Sequence, residues 1–177
     1  PPPQAPMKAV VLARGLGTGM RRTDSSASLT PEQAAAADEG SKAMMPVREG
    51  RPFLHYVLSA LADAKVQEIC IVVAPDADDI RRHFYSELTL QRLRISFAIQ
   101  EEARGTADAV LAARGIVGDS RFLVLNADNY YPVDAYRELA KIEGCALPGF
   151  DRDALVRQGN ISPDRLRKFA ILRVSSD

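Results

Sequence analysis

The chain alternates between short apolar runs and longer segments whose apolar residues recur at helical spacing. The apolar runs are rich in β-branched residues and stop at glycine, proline or aspartate, which is typical of buried strands. We place these strands at residues 8–13, 69–74, 95–99 and 122–125. The helical spacing predicts helices over residues 53–61, 78–90, 107–114 and 133–142. Because the two types alternate, we expect βαβ crossovers and an α/β fold, with a mainly parallel sheet covered on both faces.

Three further segments complete the prediction. Residues 1–6 are mostly proline and cannot join a regular element, so we expect a disordered leader. Within residues 23–41, Pro31 follows two hydroxyl residues, which predicts a short capped helix. Residues 169–174 are apolar enough to predict a strand that enters a hairpin. The length suits a single core, and we therefore assign residues 7–177 to one domain.

Composition and charge exclude several classes of function. Lys and Arg together number 23, as do Asp and Glu, so no global field draws the chain to nucleic acid or to a membrane surface. No apolar stretch has the length of a transmembrane helix. Cys70 and Cys145 belong to no cysteine cluster, and we expect reduced thiols in a cytoplasmic protein. His55 and His83 have no partner at metal-ligand spacing, so we expect them in surface or packing roles.

The residues that carry chemistry fall where the predicted strands end. In a parallel sheet, ligands bind beyond the carboxyl ends of the strands. The first strand is followed by LARGLGTGMRR at residues 12–22, whose glycines allow close approach and whose backbone N–H groups can cradle phosphate oxygens. It is not the dinucleotide fingerprint G-x-G-x-x-G, because the sixth position is Met20. A plain turn followed by basic residues is the alternative interpretation.

Four segments together resemble the sugar-1-phosphate nucleotidyltransferases. Residues 12–22 resemble the signature loop L-A-[AG]-G-x-G-T-R-[ML] of that family, and SKAMMPV at residues 41–47 resembles P-K-x-L-x-P-[VI]. Gln100, followed by GTADA at residues 105–109, matches Q-x-x-x-x-G-T-A. LNAD at residues 125–128 resembles the strand end L-x-G-D. The resemblance implies a Rossmann-like three-layer sandwich of the nucleotidyltransferase type.

The resemblance runs from residue 7 to about residue 136 and implies an enzyme. The implied reaction transfers a nucleoside monophosphate from a nucleoside triphosphate to a sugar 1-phosphate and releases pyrophosphate. The implied cofactor is Mg²⁺. Positioning and neutralisation of charge do most of the catalytic work in such transfers.

The resemblance also implies which residues form the site. The expected catalytic residues are Lys42, which binds phosphate, Arg21, and Asp128, which holds the metal ion. The expected nucleotide-binding residues are Leu12, Ala13, Gly15, Gly17, Thr18, Gln100, Gly105 and Thr106. Of these, Gln100 and the backbone around Ala13 and Gly15 are expected to contact the base.

Each assignment has a simpler structural alternative. Lys42 can be a solvated surface lysine, and Asp128 can be a helix N-cap or a turn residue. Gln100 can be an outward-facing residue at a strand end. Thr106 can cap the helix that follows it, with or without a ligand contact. The charged pair at residues 101–102 is a loop by default.

The sequence departs from the family pattern in three places. Gly19 stands where the family has an arginine, and Arg14, Arg21 or Arg22 can supply the missing cation. The nineteen residues at 23–41 form a long insertion before the lysine segment, which suits a lid over the nucleotide. Neither the E-K-P segment nor the second metal-binding aspartate of the family is found, so we expect the sugar-binding part to be incomplete.

Two other functions stay open. A nucleotide-binding module of the same fold without turnover is favoured by Gly19. An NAD-type dehydrogenase domain is disfavoured, because the dinucleotide fingerprint is missing. The sequence determines neither the base nor the sugar, nor the oligomeric state.

Overall fold

A computed structural model of the chain describes residues 6–14, 42–87, 90–159 and 161–173. The chain divides into two units, Pro1–Ala140 and Lys141–Asp177, and each is considered by itself. The first unit contains every described strand. The predicted capped helix within residues 23–41 and nearly all of the predicted leader lie outside the described residues.

Four parallel strands form one sheet in the order β3-β2-β1-β4. The strands are β1 Lys8–Leu12, β2 Glu68–Val73, β3 Arg94–Ile99 and β4 Phe122–Asn126. The register pairs Leu12 with Val72 on one side and with Asn126 on the other, and it pairs Val73 with Ile99. All four strands therefore end at nearly the same level, which confirms the predicted parallel sheet and creates one continuous carboxyl edge.

Helices connect the strands. The α-helices up to the boundary between the units are α1 Phe53–Asp63, α2 Asp78–Arg82, α3 Thr106–Ala112, α4 Arg114–Val117 and α5 Val133–Lys141. Two 3₁₀ turns, Lys42–Met44 and Arg48–Gly50, precede α1. Among the described residues, no helix combines the length and the apolar character that a membrane crossing requires.

Helices cover both faces of the central strands, which makes the unit three-layered. The edge strand β4 alternates exposed and buried residues, so the prediction of a buried strand at residues 122–125 is correct for only one of its faces. Along β2, Ile69, Ile71 and Val73 pack into one core and Cys70 and Val72 into the other, because successive strand side chains point to opposite faces. The first core contains the apolar side of α1, and the second contains residues of α3 and α4. A strand that is buried on both faces has a continuous apolar sequence, and this is why β2 was recognisable. The predicted α/β three-layer fold is confirmed.

Three predicted elements differ from the structure. The helix predicted over residues 78–90 is α-helical only in α2 and continues as the π-helix His83–Glu87. The helix predicted over residues 107–114 breaks at Ala113. The Ala113 amide donates to the carbonyl oxygen of Val110, three residues earlier, whereas an α-helical bond spans four residues. The strand predicted over residues 169–174 is wrong, since the described residues 169–173 are exposed and form no ladder. A strand needs a partner strand for its backbone groups, and an apolar run does not supply one.

The second unit contains two helices that the apolar pattern did not predict. They are α6 Arg152–Gln158 and α7 Pro163–Leu166. Each begins at a capping residue: Asp151 accepts from the amide of Ala154, and Ser162 accepts from the amide of Arg165. The capping residues, with proline at the first position of α7, were the available signals.

His55 of α1 contacts His83, which begins the π-helix 28 residues later. His55 Nε2 lies 2.7 Å from His83 Nε2, and the rings stack with centroids 4.9 Å apart. The contact confirms a packing role, although the sequence did not predict that the two would pack on each other. One ring must donate to the other, so the contact requires at least one neutral imidazole.

We expect this pair to lower the free energy of unfolding when the pH is below neutral. Burial, followed by the charges of His83 and Arg51, lowers the pKa of His55 from its ordinary value of 6.5. The unfolded chain therefore binds a proton at a higher pH than the folded chain, and stability is lost as the pH falls through about 6.5. Urea unfolding at about pH 7.5 and about pH 5.5 measures the loss, which should be smaller in His55→Gln. An equal loss in the variant would contradict this origin.

Candidate functional site

The carboxyl edge of the sheet is tied together by backbone hydrogen bonds beyond the strand ends. Each bond joins the residue that follows a strand to the neighbouring strand. The bonds are Ala13 N to Val72 O at 2.8 Å, Gln100 N to Val73 O at 2.9 Å and Ala127 N to Leu12 O at 3.0 Å. The segments after β1, β3 and β4 are therefore placed in one row, and three of the four segments that suggested a function lie there.

The two ends of this row are far apart. Gln100 follows β3 and Asp128 lies two residues beyond β4, and these are the outer strands of the sheet. Three strand spacings separate them, or about 14 Å. They cannot contact each other, but an extended ligand that lies across the strand ends can reach both.

Gln100 is turned into the protein. Its side chain is 4% exposed, and its amide nitrogen donates to Gly105 O at 3.1 Å and to Asp108 Oδ2 at 2.8 Å. The alternative that Gln100 is an outward-facing strand end is therefore wrong. The bonds close the loop between β3 and α3 and hold it against the strand end.

Gly105 has a backbone conformation that favours glycine. Its φ of 101° and ψ of −177° lie in a region that side-chain-bearing residues avoid. It is the N-cap residue of α3, and Thr106 is the first helical residue. The alternative that the Thr106 hydroxyl caps α3 is wrong, because a cap must stand before the first helical residue and α3 has no side-chain cap bond. Thr106 is exposed beside the crevice.

Arg14 crosses the edge from β1 towards the segment after β3. Its Nη2 donates to the carbonyl oxygen of Glu101 at 2.9 Å, so it reaches past the end of β2. Its Nε and Nη1 atoms are buried, and they meet no acceptor within the described part of the chain. Sequence reasoning named Arg14 only as one of three cations that could replace the missing arginine. The sequence did carry a signal for this contact, because Arg14 stands at a position where the family pattern has alanine or glycine.

Asp128 lies in the turn that directly follows β4. The amide of Asn129 closes that turn on Asn126 O at 3.3 Å, and the Asp128 side chain is exposed. Helix α5 begins only at Val133, so the helix N-cap alternative is wrong and the turn position is correct. A carboxylate oxygen at the strand end suits Mg²⁺, which takes one or two protein carboxylates together with substrate phosphates and water. Within the described residues, no three acidic, histidine or cysteine side chains form a closed metal cage.

Of the seven remaining predicted residues, three belong to the described part of the chain and four do not. Leu12 ends β1 and Ala13 follows it, both half-buried at the carboxyl edge. Lys42 begins the 3₁₀ turn Lys42–Met44, and only its backbone belongs to the described part. Gly15, Gly17, Thr18 and Arg21 lie outside the described residues, as does Gly19.

Comparison with known proteins gives a family match and several relatives. Residues 37–143 match the nucleotidyl transferase family. The chain is 30% identical over 126 residues to the bifunctional protein GlmU of Aquifex aeolicus, an alignment that covers 70% of this chain and 22% of that protein. It is 30% identical over 124 residues to glucose-1-phosphate thymidylyltransferase of Streptomyces griseus, covering 70% of this chain and 31% of that protein. The chain therefore spans less than a third of the length of these relatives.

Solved structures show the same fold. A UDP-glucose pyrophosphorylase complexed with UDP-glucose superposes with a TM-score of 0.59 at 17% identity, over 77% of this chain and 53% of that chain. A UTP-bound UDP-glucose pyrophosphorylase (UGPase) from Acinetobacter baumannii has a TM-score of 0.55 at 22% identity, over 70% of this chain and 46% of that chain. At these identities the likeness concerns the fold alone.

Proposed function

The chain belongs to the nucleotidyl transferase family, and we propose that it carries the nucleotide-binding half of a sugar-1-phosphate nucleotidyltransferase. The substrates are a nucleoside triphosphate and a sugar 1-phosphate, and the products are a nucleotide sugar and pyrophosphate. The observation that carries the proposal is the row of segments at the carboxyl edge, where Gln100 and Asp128 stand about three strand spacings apart. Relatives of the same fold that hold UDP-glucose or UTP support it.

The reaction exchanges one phosphorus–oxygen bond for another. An oxygen of the sugar phosphate attacks the α-phosphorus of the triphosphate, and the bond from that phosphorus to the bridging oxygen breaks. Pyrophosphate leaves with the electron pair of the broken bond. The chain has little covalent chemistry to perform, and it acts by holding the two substrates in line and by offsetting their charge.

The predicted residues divide this work according to position. Gln100, the backbone at Ala13 and the loop at Gly105 receive the nucleoside at the β3 end of the row. Lys42 and Arg21 supply positive charge to the phosphates, a role that suits a flexible lysine and a planar guanidinium. Leu12, Gly15, Gly17, Thr18 and Thr106 complete the nucleotide-binding set.

Asp128 is the residue that would hold Mg²⁺. Its exposed carboxylate lies at the β4 end of the row. A nucleotide whose base lies near Gln100, at the β3 end, would place its phosphates near this carboxylate. When bound, Mg²⁺ neutralises phosphate charge and orients the oxygens it shares with Asp128. Both cysteines, Cys70 and Cys145, are free thiols, which suits a reducing compartment, and we place the activity in the cytoplasm.

We expect the purified chain to bind at least one common nucleoside triphosphate, with an affinity that depends on Mg²⁺. Calorimetric titration with ATP, CTP, GTP, UTP and dTTP, with and without Mg²⁺, measures this directly. Pyrophosphate release with a panel of sugar 1-phosphates then tests turnover. Folded protein that binds no triphosphate would refute the proposal. Binding without pyrophosphate release would instead favour a nucleotide-binding module without turnover, the alternative that Gly19 supports.

A further inference from the structure

The carboxamide of Gln100 is held in one orientation. Its nitrogen donates to Gly105 O at 3.1 Å and to Asp108 Oδ2 at 2.8 Å. A carbonyl oxygen and a carboxylate accept hydrogen bonds and cannot donate them, so both hydrogens of the amide nitrogen are used. If the amide turned over, its oxygen would face two other oxygens. Only the amide oxygen of Gln100 is therefore left for a ligand, and no described residue donates to it.

Arg14, which contacts the residue after Gln100, carries donors that no described residue uses. Arg14 Nη2 is bonded to the carbonyl of Glu101, the residue after Gln100. Arg14 Nε and Nη1 are buried, and no described residue accepts a hydrogen bond from them. A buried polar group without a partner is costly, and the cost is larger for a charged group. The β3 end of the crevice thus combines an acceptor with donors that the described residues leave unused.

This combination is complementary to the edge of a nucleobase. Keto and amino bases present donors and acceptors in opposite positions: uracil and guanine have a carbonyl oxygen where cytosine and adenine have an amino group. A carboxamide that can turn over serves either arrangement. A carboxamide that is held in one orientation serves only one of them.

We propose that Asp108 is a positioning residue that orients the Gln100 carboxamide and thereby makes the site discriminate between keto and amino bases. The inference rests on the proposed function, because it requires a nucleotide at this edge. Asp108 acts through Gln100, and its carboxylate is the stronger of the two restraints, since hydrogen bonds to charged groups are the stronger ones. Sequence reasoning missed Asp108, which lies within the matched G-T-A segment without being part of its pattern.

The test measures the ratio of affinities for two nucleotides whose bases have the same ring size. The two comparisons are UTP against CTP and GTP against ATP. We expect the wild-type chain to discriminate by about tenfold or more within the pair that it binds. In Asp108→Asn the ratio should fall by about tenfold, because asparagine can offer Gln100 either an oxygen or an N–H. The ratio is the informative quantity, since a general loosening of the loop would weaken both nucleotides alike.

Asp153→Asn is the matched control. This variant removes the same charge from the first turn of α6. Both α6 and α3 have seven residues. We expect it to keep the wild-type ratio. A wild-type chain that binds both members of each pair equally, or an Asp108→Asn chain that binds with an unchanged ratio, overturns the inference and leaves the proposed function intact. Failure of the wild-type chain to bind any triphosphate overturns the proposed function instead.

A second measurement does not depend on the folding of the variant. In nuclear magnetic resonance of the wild-type chain, we expect the two side-chain amide protons of Gln100 to exchange with solvent more slowly than those of the exposed Gln67. They should stay protected when the preferred triphosphate of the bound pair is added, because the ligand uses only the oxygen. Exchange as fast as that of Gln67 would contradict the fixed orientation.

Discussion

Replacement of Asp128 by asparagine should remove most of the Mg²⁺-dependent part of nucleotide binding and leave the fold intact. Asparagine keeps the size of the side chain but lacks the charge that a hard divalent cation requires. Loss of a charge-assisted contact costs about 1.5–3 kcal/mol, so the affinity with Mg²⁺ should fall about ten- to a hundredfold. Thermal unfolding with and without Mg²⁺ and nucleotide provides the measurement. The unfolding temperature of the free chain should change little, because the side chain is exposed.

Asp119→Asn is the control for this experiment. Asp119 is also exposed, and it lies in the turn before β4, whereas Asp128 lies in the turn after it. The two variants thus lose the same charge at opposite ends of one strand, and only the carboxyl end belongs to the proposed site. If Asp128→Asn kept the wild-type metal-dependent shift, Asp128 would be a turn residue without a metal.

Replacement of Gly105 by alanine should weaken both the fold and the site. Its φ of 101° is strained for any residue with a Cβ atom, at a cost of about 1–3 kcal/mol. The cost comes from the backbone itself, because a Cβ atom there meets nothing within 4 Å. A shift of this backbone to relieve the strain would disturb the carbonyl that accepts from Gln100 Nε2. We therefore expect a lower unfolding free energy in urea and triphosphate affinity that is weaker by about tenfold or more.

Gly115→Ala provides a control with the opposite expected sign. Gly115 lies inside α4, and a Cβ atom there also meets nothing within 4 Å, but its φ is not positive. Alanine restricts the unfolded chain and favours helix, so the unfolding free energy should rise by about 0.4–1 kcal/mol. Similar losses in the two variants would mean that glycine at position 105 is not required for its backbone conformation.

The apolar pattern predicted the four strands closely, and the reason is physical. Strands that are buried on both faces need apolar residues at every position, so β1 and β2 stand out in the sequence. The four motif segments predicted the family, and the match over residues 37–143 confirms it. The strand predicted after residue 168 was wrong because its pairing depends on a neighbour that no local pattern specifies.

By itself, the sequence determined the parallel α/β sheet, the edge at which the proposed site lies and the family to which the chain belongs. These follow from local patterns: runs of β-branched residues, helical spacing, and glycine and carboxylate residues where strands stop. Only the tertiary structure decided that Arg14 reaches Glu101, that Asp108 holds the inward-turned Gln100, and that His55 stacks on His83. Each of these contacts joins residues from different elements, and the partner of a polar side chain depends on where those elements pack.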